Sequence, residues 1–252
     1  MVQFLLLACA LVGLTIYGAM QLPYRWKWYE VPRHLWRVID GEVIWGPLAQ
    51  GFFVTVHLSL LAMALTLAVG LLVALLRFSD LWAGRWVARI FVQIVRNTPV
   101  LVQLFIYYFV LAPILDFDRF TAGVLCLGLF EASFAAEIIR GGILAVPKGQ
   151  GEAAASLGLS RYQLTRFVVL PQAIPLILPP MTGVLVNLIK HSAIVSAIAV
   201  VDLTNEARNV IADTLLSFEI WLTVAGLYLV LTLSLSLLAG LLEWRLARSQ
   251  GR

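Results

Sequence analysis

Charge is scarce in this 252-residue chain. Charged residues make up 13% of it, about half the roughly 25% of an ordinary soluble domain. Hydrophobic residues fill 61% of positions and the mean hydropathy is +0.92, which excludes a water-soluble globule and defines an integral membrane protein. Cysteine is nearly absent. Cys9 and Cys126 both lie inside apolar runs, so no disulfide framework is expected. Histidine occurs three times, as His34, His57 and His191, in neither a His-x-x-x-x-Asp nor a His-Glu-x-x-His pattern. A membrane-embedded protease or acyltransferase therefore lacks the nucleophile–base or metal set it needs, and no metal ligands or catalytic residues are assigned. No Gly-Lys dipeptide occurs, hence no phosphate-binding loop of the Gly-x-x-x-x-Gly-Lys-Ser/Thr type. Any ATP must be bound by another subunit. The net charge of +4 is dispersed between apolar runs rather than gathered into a patch, which speaks against a nucleic-acid partner. Nor is the inverted repeat of many secondary transporters visible.

What the chain has is apolar runs, at about 4–20, 51–76, 90–112, 121–140, 171–192 and 219–242. Each meets or approaches the ~17–25 residues that span a bilayer as a helix, so the fold expected is all-α with about six transmembrane helices. No Lys or Arg precedes the first run, which argues against a cleaved signal peptide; residues 4–20 read as an added anchor. Residues 21–50 are polar and carry Trp26, Trp28, Trp36 and Trp45, while Trp82, Trp86, Trp221 and Trp244 fall at span ends, as expected of a residue that favours the membrane–water boundary. With the polar stretch 141–170 placed inside, Arg77, Arg85, Arg89, Arg140, Lys148, Arg161, Arg166, Arg245, Arg248 and Arg252 are inside, and Arg25, Lys27, Arg33, Arg37, Arg119 and Arg208 outside. That excess follows the positive-inside rule and puts both termini in the cytoplasm.

Residues 147–171 are the longest charge-bearing stretch within the apolar chain. They read as two short helices. The first runs from about Gln150 to Leu157 and stops at Gly158, which tolerates a left-handed conformation. The second opens at Ser160, with Gln163 completing a capping box, and Leu170-Pro171 returns the chain to the membrane. A helix–turn–helix between two spans is a rigid lever on which an external protein can push.

Polar groups inside the spans are the other candidates. Arg96-Asn97-Thr98-Pro99 interrupts the third span, because proline frees a backbone carbonyl that lipid cannot satisfy. Glu131 sits mid-span, where an ionisable group usually faces a bundle interior or cavity. Glu137 and Arg140 are spaced for a structural ion pair, and His57 reads as structural. From Pro171 to Val201 the chain is apolar for about thirty residues, or ~45 Å of helix, too long for one straight span. Pro175, Pro179 and Pro180 are expected to kink or break it, and Asn187, Lys190, His191 and Ser192 interrupt its far end. Asn187, Lys190 and His191 have the spacing of one helix face, and a broken helix beside intramembrane polar groups is a transporter-like arrangement.

Glu152-Ala153-Ala154, Gly158, Val168 and Leu170-Pro171, with Arg96-Asn97-Thr98-Pro99-Val100-Leu101-Val102-Gln103, Ala136–Ile143 and Pro147-Lys148-Gly149-Gln150, resemble the membrane subunits of ABC importers. They are similar in particular to the polar amino-acid branch of that family, over about Gly46 to Leu246. Val168 stands where isoleucine is usual. The resemblance implies a five-helix permease core over residues 46–246, with residues 1–45 an extra anchor and extracytoplasmic loop and 147–171 a cytoplasmic coupling loop. It implies a bacterial inner-membrane, multi-pass permease that is not itself an enzyme. Implied partners are two cytoplasmic ATPases, a second permease subunit, identical or homologous, and an extracytoplasmic amino-acid-binding protein. Glu152, Ala153, Ala154, Gly158 and Pro171 are implied to couple to the ATPase. Asn187, Lys190, His191, Ser192, Arg96 and Glu131 are implied along the substrate path. Where relatives carry Leu-Leu-Lys-Asp-Thr-Ser, this chain has Leu188-Ile189-Lys190-His191-Ser192-Ala193. Histidine at 191 in place of a carboxylate favours an acidic or neutral polar amino acid over a basic one, since histidine titrates near pH ~6.5.

Overall fold

Small residues on two helices bring the centre of the bundle together. The computed structural model describes residues 2–21 and 24–249; Arg252, counted above among the inside basic residues, lies outside them. Helix α1 spans Val2–Gln21, about 30 Å long at 1.5 Å per residue, which matches the hydrocarbon thickness. A short helix α2 (Pro32–Leu35) leads into strand β1 (Trp36–Ile39) and strand β2 (Glu42–Trp45). This antiparallel hairpin was not expected in an all-α chain. Its turn is Asp40-Gly41, both at positive φ (52° and 82°), the mirror-image turn geometry that suits a two-residue hairpin loop.

Helix α3 runs from Pro47 to Phe78, with Gly46 extended at its N-cap and Ser79 ending it by donating its hydroxyl to the Leu76 carbonyl at 2.8 Å. Its buried face is lined by Gly51, Thr55, Leu58, Ala62, Thr66 and Gly70, three or four residues apart. Its part around Thr66 and Gly70 lets α7 (below) approach closely, the means by which helices associate in lipid, while Gly51 and Thr55 meet the backbone of Asp202 and Leu203. A Cβ on Gly70 would lie 2.8 Å from the Ala135 Cβ, and one on Gly128 would lie 2.6 Å from Leu65 Cδ2.

The expected third span, 90–112, begins earlier than read and is broken where Arg96-Asn97-Thr98-Pro99 was expected to interrupt it. Helix α4 (Trp82–Asn97) and helix α5 (Val100–Phe105), continued through a π-helical turn at Ile106–Leu111 into helix α6 (Ala112–Leu115), meet at a bend of 107°. Val95 would accept from residue 99 in an unbroken helix, but Pro99 has no N–H. Gln103, itself buried, takes up the slack: its Nε2 donates to the carbonyls of Val95 (2.8 Å) and Thr98 (2.9 Å). Asn97 Nδ2 donates to Gln93 O at 2.7 Å and Thr98 Oγ1 to Ile94 O at 2.8 Å. Three side chains thus cap three successive carbonyls, and the sharp turn leaves no orphan among them.

Helix α7 (Arg119–Leu144) is capped by Asp118, which accepts from Thr121 N–H at 2.9 Å, and hydrogen bonds from the Thr121 hydroxyl and backbone hold its carboxyl below the usual range. It leads to helix α8 (Lys148–Ser156) and helix α9 (Arg161–Leu164), then a π-helical turn at Thr165–Val169 and helix α10 (Leu170–His191). Here two expectations change. The helix opened at Ser160 is not a separate short element: it continues into the membrane. Nor do Pro175, Pro179 and Pro180 break it; they lie inside an unbroken α10. The π turn falls just ahead of Pro171, where a wider turn relieves the clash of a proline ring with the carbonyl four residues back. The expected interruption at the far end is present, as α10 tightens into a 3₁₀ helix at Ser192–Ile198.

Asp202, fully buried, caps helix α11 (Leu203–Thr214) by accepting from Asn205 N–H at 2.9 Å. Leu48, Leu203, Ala207, Val210 and Ile220 form a second core there, between α3, α11 and helix α12 (Ser217–Ser249). The buried Glu219 of α12 receives the Tyr24 hydroxyl at 2.5 Å and the Lys27 N–H at 2.6 Å, an attachment of the N-terminal segment that composition does not betray. That hydrogen bond pushes the Tyr24 hydroxyl up to about 12. Among the described residues, four helices, including the whole of Arg161–Ile198, are long and apolar enough to cross a membrane, and the bent pair makes a fifth candidate.

Candidate functional site

Two regions at opposite depths of the bundle carry the functional residues. The first is the loop of residues 147–171. Helix α8 ends as expected: Leu157 N–H donates to Ala153 O, Gly158 N–H to Ala155 O and Leu159 N–H to Ala154 O. Gly158 has φ +80°, the left-handed region that disfavours side chains. The capping box is complete, with Gln163 N–H on Ser160 Oγ and Ser160 N–H on Gln163 Oε1. Within α8 only Ala154 is buried; Glu152 and Ala153 are exposed, and Glu152 has no ion-pair partner among the described residues. Pro171 lies just past the π turn, on the exposed side of the helix that leaves the loop. Leu157, Tyr162 and Phe167 are also largely exposed here, at 81%, 74% and 64%. These three were not singled out by sequence; a bulky apolar residue in a polar loop is the signal that finds them. Where α7 enters the loop, Glu137 bridges Arg140 (2.8 Å) and Arg77 of α3 (2.6 Å). The first partner was expected from spacing and the second was not.

The second region lies inside the bundle. His191 Nδ1 is 2.7 Å from Glu131 Oε1, so a carboxylate on α7 and an imidazole on α10, sixty residues apart, form one group. Glu131 is buried and His191 half-buried. The Phe130 ring meets His191 edge-on at 5.8 Å, Phe134 meets Phe130 at 5.3 Å, and the Arg96 guanidinium stands over Phe134 at 4.9 Å. Three of the sequence-derived candidates, Arg96, Glu131 and His191, are therefore joined through two phenylalanines that the sequence reading passed over. Asn187 and Lys190 sit beside them on the open face of α10 with Gly183, where an added Cβ would meet nothing within 4 Å. No carboxylate pairs with Lys190 among the described residues. Ser192, expected along the substrate path, is fully buried and donates back to the Ile189 carbonyl at 2.7 Å, closing the helix end. Residue 191, a histidine where relatives carry a carboxylate, has the Glu131 carboxylate of the neighbouring helix beside it. His57 packs against Phe120 at 5.3 Å, in keeping with a structural role.

A cluster of polar side chains between spanning helices, joined by a continuous helix to an exposed loop, suits a transport subunit. Comparison with known proteins gives the same class. Residues 66–248 match the model of the family described as "Binding-protein-dependent transport system inner membrane component". The chain is 38% identical to the probable glutamine ABC transporter permease protein GlnM of Bacillus subtilis over 79% of its length and 93% of that protein's. It is 36% identical to the glutamine transport system permease protein GlnP of Escherichia coli, over 82% and 97%. A solved amino acid ABC transporter, crystallised with histidines, superposes with a TM-score of 0.73 at 38% identity, covering 79% of this chain and 94% of that one. The chain belongs to the family of inner-membrane components of binding-protein-dependent transport systems. It is thus an ABC-transporter permease, a component that works with ATPase and binding-protein partners.

Proposed function

We propose that the chain forms half of a transmembrane path for a neutral polar amino acid. The observation that carries this is the Glu131–His191 pair at 2.7 Å beside the open Asn187 and Lys190. A zwitterionic amino acid presents one ammonium and one carboxylate, and this seam offers one acidic and two basic groups. Glu131 receives the α-ammonium, Lys190 the α-carboxylate, and Asn187 hydrogen-bonds a polar side chain. Arg96, one helical turn beyond Glu131 through Phe134, lies toward the coupling loop and lines the exit. The glutamine-permease relatives support the amino-acid class. An acidic substrate, admitted by sequence alone, fits less well once Glu131 is counted.

Transport follows from the helix that links the two regions. Between Arg161 and His191 it makes one rod of about 45 Å at 1.5 Å per residue. Glu152, Ala153, Ala154 and Gly158, with Pro171 at the root of the rod, dock on one of two cytoplasmic ATPases. ATP-driven closure of those ATPases moves α8 and carries the rod as a rigid body, alternately opening the seam to either side. ATP is bound by the partners; this chain holds no cofactor and performs no covalent chemistry. The open face of α10 is covered by a second permease subunit, identical or homologous, and an extracytoplasmic amino-acid-binding protein delivers the substrate. The chain resides in the bacterial inner membrane with α1 as an extra span, residues 46–246 as the permease domain and both termini cytoplasmic.

Uptake competition in proteoliposomes holding the permease–ATPase complex tests the reading. Glu131→Gln and Lys190→Ala should each lower uptake of neutral polar amino acids, and His191→Asp, which sets two carboxylates together, should shift competition toward basic ones. Wild-type uptake and selectivity in all three would refute the substrate assignment. Glu152→Lys should release the ATPase while leaving membrane insertion intact; normal association with normal uptake would refute the docking assignment.

A further inference from the structure

The β1–β2 hairpin lies outside the family match and is not used by the transport reading. Its register pairs Trp36 with Trp45 and Val38 with Val43, and between them Arg37 with Ile44, beyond them Ile39 with Glu42. Directly paired residues share a face of the ribbon. One face is therefore wholly apolar, with Trp36, Val38, Val43 and Trp45, and the other carries both charges. All four residues of that face are exposed, from 50% to 66%, while the charged face alternates Arg37 and Glu42 with Ile39 and Ile44. A lone two-stranded ribbon is marginally stable in water, and an apolar patch of this kind marks a surface that something covers.

The direction of that face identifies the cover. The Trp45 ring packs edge-on against Phe53 at 5.5 Å, and Phe53 lies six residues past Pro47, about 9 Å down α3, within its apolar run and itself half exposed. The face bearing Trp45 thus looks along α3 toward the hydrocarbon and not away from it. The joint is stiff. Gly46 N–H donates to Leu35 O at 2.9 Å, and a Cβ at Gly46 would lie 2.3 Å from His34 O, so the chain turns into Pro47 with no side chain between. A second marker of the boundary stands at the same end of the bundle, where Trp26 stacks on Trp28 and packs against Phe218, at the start of α12.

We infer that the hairpin is an interfacial anchor, seated in the headgroup–acyl boundary of the phospholipid bilayer with Trp36, Val38, Val43 and Trp45 down and Arg37 and Glu42 up. Tryptophan at this level keeps its ring in the acyl edge and its N–H in water. The leaflet is the outer one, a detail that rests on the orientation proposed above; seating in a bilayer does not. The anchor fixes the far end of α3 in depth while the loop end is pushed.

The test uses the assembled permease–ATPase complex in phosphatidylcholine nanodiscs. Cys9→Ala removes the exposed cysteine, and Cys126 is buried. Single cysteines Val38→Cys, Val43→Cys, Arg37→Cys and Glu42→Cys are labelled with an environment-sensitive fluorophore, and retained ATPase association confirms assembly of each. Phosphatidylcholine bearing a doxyl group near the headgroup should quench labels at 38 and 43 about twofold or more above those at 37 and 42, the contrast expected for an amphipathic element lying in the interface. Equal quenching on the two faces, or shielding of 38 and 43 only when the binding protein is added, would overturn the inference. Because quenching is read with either leaflet labelled, a reversed topology would alter the transport reading without touching this one.

Discussion

Gly158 provides the sharpest separation between a conformational and a steric role. Its φ is +80°, yet a Cβ placed there meets no atom within 4 Å. In the isolated subunit, space is therefore no objection to a side chain; the backbone is. Holding an L-residue in the left-handed region costs roughly 1–2 kcal/mol, and that much shifts an equilibrium about five- to thirtyfold. Gly158→Ala should weaken ATPase binding by about that factor, measured by titrating the ATPase onto detergent-solubilised permease, and should lower uptake in proteoliposomes accordingly. Gly158→Val, with a branched Cβ, should be worse. Gly158→Asn, which visits the left-handed region more readily, should recover much of the loss. If Asn proves as damaging as Val, or Ala binds the ATPase as glycine does, the conformational argument fails. The first outcome would mean that the docked ATPase itself approaches Gly158 too closely for any side chain.

Gln103→Leu strands the carbonyls of Val95 and Thr98, about 1–3 kcal/mol each, and should lower the thermal midpoint of the purified complex clearly; an unchanged midpoint would mean the bend is held otherwise. Burial pushes the Asp202 carboxyl up from 3.8 to about 6. The unfolded chain ionises first as pH rises, so the folded state binds the extra proton and stability falls through that window, by about 3 kcal/mol. Asp202→Asn keeps the helix cap and should flatten the decline, read from thermal melts across that pH range.

Features set by short-range chemistry were legible in the chain. Ser160 and Gln163 announce their capping box, Gly158 its helix end, and Glu137 finds Arg140 one turn away. Pro99 announced a break but not its angle, because the bend depends on Gln103 reaching back to two carbonyls. The prolines of α10 misled: each alone disfavours a helix, but the run of packed turns around them and the π turn ahead of Pro171 keep the rod continuous. The Glu131–His191 pair was out of reach because nothing local aligns α7 with α10. Asp40-Gly41 was a plain hairpin signal, obscured by the expectation that a membrane chain of this composition contains helices alone.

The Tyr24–Glu219 bond joins residues 195 positions apart, and this has a consequence for biogenesis. At a synthesis rate of 5–20 residues per second, the tyrosine waits roughly 10–40 s at the membrane before its partner is made. Until then the segment around Tyr24 has only local neighbours, and the closure that fixes it is among the last contacts the nascent chain can form. The bond therefore records completion: a protein truncated before the final helix can build the α3–α7 centre and still leave the segment that follows α1 unfastened.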